Sequence, residues 1–121
     1  MTTKVPSIML SDGAREGVIH LRGPATNGTY PVQLSAPFDY DFISVEFQTD
    51  TGTITAVVNI DGTPVQWSGG DGNLSLSSTA GNETAASAAS VTAGDPVTLV
   101  LSSAASSPTL AAIDLFVRRT D

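Results

Sequence analysis

The run Gly52–Trp67, GTITAVVNIDGTPVQW, decides the fold class. Ile54, Ala56, Val58 and Ile60 share one parity, and Thr53, Thr55, Val57 and Asn59 share the other. A period of two describes a strand that buries one face. Asp61-Gly62 follows, a dipeptide that tolerates positive φ at both centre positions of a two-residue type I′ turn. The return strand then meets Pro64, which has no amide hydrogen for a ladder, so that strand is expected to be short and peripheral. Beyond one aspartate the segment carries no side chain suited to chemistry. It reads as architecture.

Upstream, Phe38–Thr49 (FDYDFISVEFQT) holds most of the aromatic mass. Phe38, Tyr40 and Phe42 lie on one parity, whereas Ile43, Val45 and Phe47 lie on the other. A strand changes parity only by inserting a residue, which predicts a β-bulge or corner at Phe42-Ile43. Further upstream, Ile19 and Leu21 share a face in GVIHLR. Tyr30, Val32 and Leu34 alternate in a run that Pro31 confines to a sheet edge or rim. Downstream, Leu74 and Leu76 alternate with serines. Thr84–Ser90 (TAASAAS) reads as a strand, with a helix as the alternative. A turn at Ala93-Gly94-Asp95-Pro96 leads to Val97, Leu99 and Leu101; Ser102–Pro108 reads as a loop. Ile113, Leu115 and Val117 point inward from the last strand, Leu110–Arg119. Eight or nine short strands separated by turn residues predict a single all-β domain, a β-sandwich or jelly roll, over residues 17–121. Residues 1–16 are expected to form an extended N-terminal arm or first strand: Ile8-Met9-Leu10 is an apolar cluster between Pro6 and Ser11-Asp12-Gly13, too short for a stable helix.

Composition narrows the function classes. Of 121 residues 14% are charged, against an average of about 25%, and the net charge is −7. The five cations are Lys4, Arg15, Arg22, Arg118 and Arg119. Without a clustered basic footprint, neither nucleic acid nor an anionic membrane is an expected partner. The absence of cysteine removes disulfides, thiol nucleophiles and thiolate zinc sites together. The first residues lack an apolar stretch typical of a secretory signal, so synthesis in the cytoplasm is expected.

The candidates for chemistry are sparse. His20 is the sole histidine, and as part of a Ser-His-Asp arrangement it needs a serine and a carboxylate brought beside it; a surface or interface role is the simpler reading. Asp39 and Asp41, alternate residues of a strand, point the same way about 7 Å apart, a spacing that suits glycoside hydrolysis or a cation. A solvated face is the simpler account of that pair. Asp71 in Gly-Gly-Asp-Gly-Asn lacks the ordered acidic spacing of a calcium loop. Asn27, Asn73 and Asn82 match the glycosylation pattern, which has no meaning without secretion. No catalytic, cofactor or metal residue is assigned. Tyr40 and Trp67 are candidate saccharide contacts through ring stacking. Ile8, Met9, Leu10, Arg118 and Arg119 are candidate contacts to another subunit, the arginines as partners for carboxylates, with pairing inside the chain as the alternative for the arginines.

From Pro37 onward the chain resembles a small β-domain of tailed-bacteriophage virion proteins and gene-transfer-agent particles. The motifs that carry the resemblance are FDYDFISVEFQT, TGTITAVVNIDGTPV, VTAGDPVTLVLSS and TLAAIDLFVRR. They cover about two thirds of the chain. The resemblance implies a virion structural protein with no enzymatic activity: a capsid decoration (cement) or head-fibre subunit, commonly a homotrimer, bound to the major capsid protein or another virion protein. A tail-fibre or spike module that binds host polysaccharide is the alternative it leaves open.

Overall fold

The computed structural model describes residues 15–120. Candidate contacts Ile8, Met9 and Leu10, and most of the predicted arm, lie outside the described residues. Eleven strands follow one another: β1 (Glu16–Pro24), β2 (Gly28–Gln33), β3 (Tyr40–Thr49), β4 (Thr53–Ile60), β5 (Thr63–Pro64), β6 (Gln66–Trp67), β7 (Leu74–Leu76), β8 (Gly81–Ser87), β9 (Ser90–Val91), β10 (Val97–Ala105) and β11 (Leu110–Arg119). One sheet has the order β1-β11-β3-β8-β6, with β9 also pairing β3; the other has β2-β10-β4-β5, with β7 also pairing β4. All pairings are antiparallel, and no described residue is helical. The architecture is a jelly-roll-like β-sandwich. Glu16, assigned above to the arm, already pairs with Arg118 and so belongs to the sandwich.

The hairpin at Asp61-Gly62 forms as expected. Asp61 has φ +48° and Gly62 φ +83°, the signs a type I′ turn requires. The return strand is β5, two residues long. Two-residue strands of this kind (β5, β6 and β9) bring the count above the eight or nine read from the sequence. Thr84–Ser90 is strand rather than helix, with Thr84–Ser87 in β8, a bend at Ala88 (φ +53°) and Ser90 in β9. β10 runs on to Ala105 through a register shift after Ser102, so the loop begins later than Ser102.

The bulge on β3 falls where the parity change places it. Phe116 pairs with Ser44 and Val117 with Phe42, leaving Ile43 as the extra residue. Tyr40 and Phe42 therefore face the core on one side of the bulge, and Val45 and Phe47 on the other. Ile43 itself is turned outward, 39% exposed. A second shift was not legible. Val97 pairs with Gln33 and Thr98 with Pro31, so Val32 is inserted in β2. Val32 and Gln33 are consequently both buried, and Leu34, expected inward, emerges into solvent beyond the strand end.

The core lies between the sheets and is dominated by Trp67, Tyr40, Phe42, Ile19, Ile54, Leu74 and Leu115. Phe38, Tyr40, Phe42 and Trp67 form an aromatic row with ring centroids 5.9, 5.5 and 6.3 Å apart, the first two contacts edge-on. Such contacts add about 0.5–1.5 kcal/mol each beyond area burial.

Candidate functional site

Burial on the inner face leaves the other parity of β1, β11, β3 and β8 pointing outward, and the register sorts it into rows. Arg22, Ala112 and Gln48 form one; His20, Asp114, Glu46 and Asn82 the next; Val18, Phe116, Ser44 and Thr84 a third; Glu16 and Arg118 a fourth. Directly opposed side chains in antiparallel strands lie about 4.5–5.5 Å apart at Cβ, so each row is a line of contact across the sheet.

The second row is electrostatic. Asp114 Oδ1 lies 2.8 Å from His20 Nδ1 and 2.8 Å from Arg22 Nη1. Arg22 Nη1 also donates to the carbonyls of Leu21 (3.0 Å) and Ile113 (3.2 Å). Partial burial works against the charged Asp114 carboxylate, but hydrogen bonds from Arg22 and His20, and their charges, outweigh it and hold its pKa below the usual carboxylate range. His20 is 63% exposed on the sheet surface, with an acid as its partner and no described serine completing a triad. Beside this row Arg22, Glu46, Gln48, Asn82 and Asp114 line a shallow cavity of about 290 Å³.

The third row is apolar. Val18 and Phe116 face each other across β1 and β11, and the bulge throws Ile43 out beside Ser44. With Glu16, Ser44 and Arg118 they line a groove of about 480 Å³. At its rim Arg118 Nη2 donates to Glu16 Oε1 at 2.7 Å. The Arg119 guanidinium lies 4.5 Å from the centre of the Phe38 ring, a cation–π contact. Both arginines thus have partners within the chain.

Two of the acids singled out in the sequence, Asp39 and Asp71, accept from loop amides, and the third, Asp41, lies within β3. Asp39 Oδ1 accepts from the Ala93 amide at 2.7 Å, and Asp41 stands opposite Arg118 on β11 and Ser90 on β9. Asp71 Oδ1 accepts from the Asn73 amide at 2.9 Å. Among the described residues no three His, Cys, Asp or Glu gather as metal ligands. Asp50 joins the end of β3 to the start of β11. It accepts from the Thr109 hydroxyl, from the Leu110 and Thr109 amides at 3.0 Å each, and from the Thr51 amide at 2.9 Å. Those bonds, the hydroxyl foremost, hold its carboxyl far below its ordinary value.

The saccharide contacts must be corrected. Tyr40 is fully buried and Trp67 is 1% exposed, because each lies on the inward face of its strand. Neither offers a ring face to a sugar. Tyr40 instead donates to Gln33 Oε1 at 2.5 Å, a buried pair created by the unforeseen bulge at Val32. Burial, and then the Asp95 charge, push its phenol well above the ordinary tyrosine range. The outward residues Phe116 and Asp114 went unnoticed because they acquire meaning only from neighbours on β1 and β3.

No family model matches the chain, and no curated protein matches it. Solved structures do. A chain from the acidic stable capsid structure of Helicobacter pylori bacteriophage KHP30 superimposes with a TM-score of 0.58 over 97% of this chain and 93% of that one, at 11% identity. The likeness is one of fold. The carbohydrate-binding module CBM36 in complex with calcium and xylotriose gives a TM-score of 0.49 at 18% identity, covering 99% and 93%. The C-terminal domain of EclA, a sugar-binding protein, gives 0.46 at 14% identity, covering 93% and 84%.

Proposed function

We propose that this chain is a non-enzymatic virion structural protein, a capsid decoration (cement) or head-fibre subunit that binds the outer surface of a phage head and stabilises it. The carrying observation is the apolar row Val18–Phe116–Ile43 in a shallow groove on an otherwise polar sheet face. A shallow apolar strip with a charged rim fits a protein surface better than a small substrate. The fold likeness to a phage capsid chain supports the same reading. So does the sequence resemblance, whose VNIDGTPV and VTAGDPVTL motifs form hairpin and turn in the fold. In this reading the subunit is a homotrimer, its partner is the major capsid protein or another virion protein, and repeated weak contacts around the shell add by multivalency.

Cryo-EM of particles assembled with this chain tests the reading: density belongs on the outside of the head. A Val18→Glu/Phe116→Glu variant, folded by circular dichroism, is expected to be lost from particles. Its retention at wild-type occupancy, or density only at the tail tip, refutes the proposal. Light scattering of the purified chain tests the trimer separately.

A second reading, recognition of host polysaccharide, is favoured by the cavity beside Asp114. Its mixture of donors and acceptors (Arg22, Gln48, Asn82, Glu46) suits a hydroxylated ligand. Glycan-array binding that is abolished by Asn82→Ala and Gln48→Ala, and unaffected by Phe116→Glu, selects it.

A further inference from the structure

β1 is an outer strand of its sheet, and among the described residues nothing pairs with its outer side. Two bonds fix which backbone groups that side presents: Arg119 donates to the carbonyl of Arg15 at 2.6 Å, and Ala25 to that of Thr109 at 3.2 Å. Bonded positions alternate in an antiparallel pair, so the odd residues of β1 bond to β11. The even residues Glu16, Val18, His20 and Arg22 turn their N–H and C=O groups to the open edge. Pro24, at the strand's end, has no amide to offer. Pairing with β11 runs without a register shift, and Ile19 and Leu21 face inward, so neither a bulge nor an inward charge blunts this edge. An edge of this kind accepts a further strand.

We propose that this strand is β1 of a second copy, paired antiparallel about a two-fold axis through Ile19. The charge pattern of β1 is complementary to its own reverse. With Ile19 opposite its counterpart, Glu16 stands opposite Arg22 of the second copy, and Val18 opposite its His20. All the even residues then meet even residues, at bonded positions. Opposite charges directly across a ladder attract, and the flanking ion pairs extend the line. Arg118 already bridges Glu16 at 2.7 Å, and Asp114 bridges Arg22 at 2.8 Å. The pair Arg118–Glu16 of one copy therefore abuts Arg22–Asp114 of the other, with signs alternating throughout. Among the described residues the contacts of Arg22 run through Nη1, which leaves Nη2 to reach the second Glu16. On the inner side Gly17 lies opposite Leu21 and gives it room, and Ile19 meets Ile19 at a non-bonded position, where side chains approach most closely. A register shifted by two residues sets His20 against His20, or leaves Arg22 with no described acid opposite it. Such a contact is isologous and closes on two copies. Both outer faces point the same way, so two Val18–Phe116 strips share one face of a continuous sheet. The contact does not depend on the particle the subunit joins; alongside a three-fold assembly it links neighbouring trimers.

Amide hydrogen exchange by NMR and native mass spectrometry on the full chain test it. When the wild type is concentrated roughly 100-fold, its Val18 and His20 amides are expected to exchange about 10-fold more slowly. The Ile19 and Leu21 amides, held by β11, stay protected at every concentration and report that the domain is folded. Glu16→Lys and Arg22→Glu each set like charges across the axis, so either variant alone is expected to lose the contact. Their equimolar mixture sets Lys against Glu and Arg against Glu, and is expected to form mixed pairs. His20→Pro removes a donor at the open edge without touching the β11 ladder, and is expected to abolish the concentration dependence at Val18. Wild-type Val18 and His20 exchange that is independent of concentration overturns the proposal. So does a mixture of the two charge variants that associates no more than its components.

Discussion

Replacing Tyr40 by phenylalanine isolates the buried pair that the Val32 bulge creates. The ring stays, with its edge-on contacts to Phe38 and Phe42, and only the hydroxyl leaves. Gln33 is 7% exposed and Tyr40 fully buried, so water does not replace the lost donor and Gln33 Oε1 is left without it. An orphaned buried polar group costs about 1–3 kcal/mol. Unfolding entropy of about 2.1 cal/mol/K per residue, over 121 residues, comes to about 250 cal/mol/K, so each kcal/mol moves Tm by about 4 °C. Tyr40→Phe should therefore lower Tm by about 4–12 °C. Gln33→Leu orphans the phenol instead and should cost about as much. The double variant removes both polar partners and should recover most of the loss. Thermal unfolding by circular dichroism, with urea titration, measures the cycle. A Tyr40→Phe loss below about 0.5 kcal/mol, or a double variant equal to the sum of the singles, refutes the idea that these groups depend on one another.

The same phenol sets an alkaline limit. Its folded pKa is raised above the unfolded value of about 10, so its contribution is complete below that pH and is lost progressively as pH rises from there through the folded pKa. Tm should fall above pH ~10, more steeply in the wild type than in Tyr40→Phe. Asp50 acts at the other end: its folded pKa is depressed, so its contribution is present above the unfolded value of about 3.9 and disappears as pH falls further. Asp50→Asn should lower Tm at neutral pH and flatten the decline below pH ~4, measured by scanning calorimetry. Gly62→Val should cost about 1–2 kcal/mol from backbone strain alone, because no atom lies within 4 Å of the added Cβ; a neutral result by urea titration contradicts the type I′ assignment. Trp67→Ala should cost about 3–5 kcal/mol, since the indole is buried against Phe42.

The amino-acid sequence alone determined most of the longer strands and their buried faces, the Asp61-Gly62 turn and the bulge at Ile43. Each follows from steric preferences of adjacent residues or from a parity that one face must keep dry. The bulge at Val32 left no such mark, because a glutamine on the inward face gives no sign that a tyrosine will meet it. The outer surface was illegible for a related reason. His20 and Asp114 are 94 positions apart in the chain, and Val18 meets Phe116 only through the β1–β11 register. Tertiary structure decided which outward residues become neighbours. A strand's own sequence states which side faces water, but what stands beside it there depends on long-range pairing, whose free energy comes from the buried face and not from the exposed one.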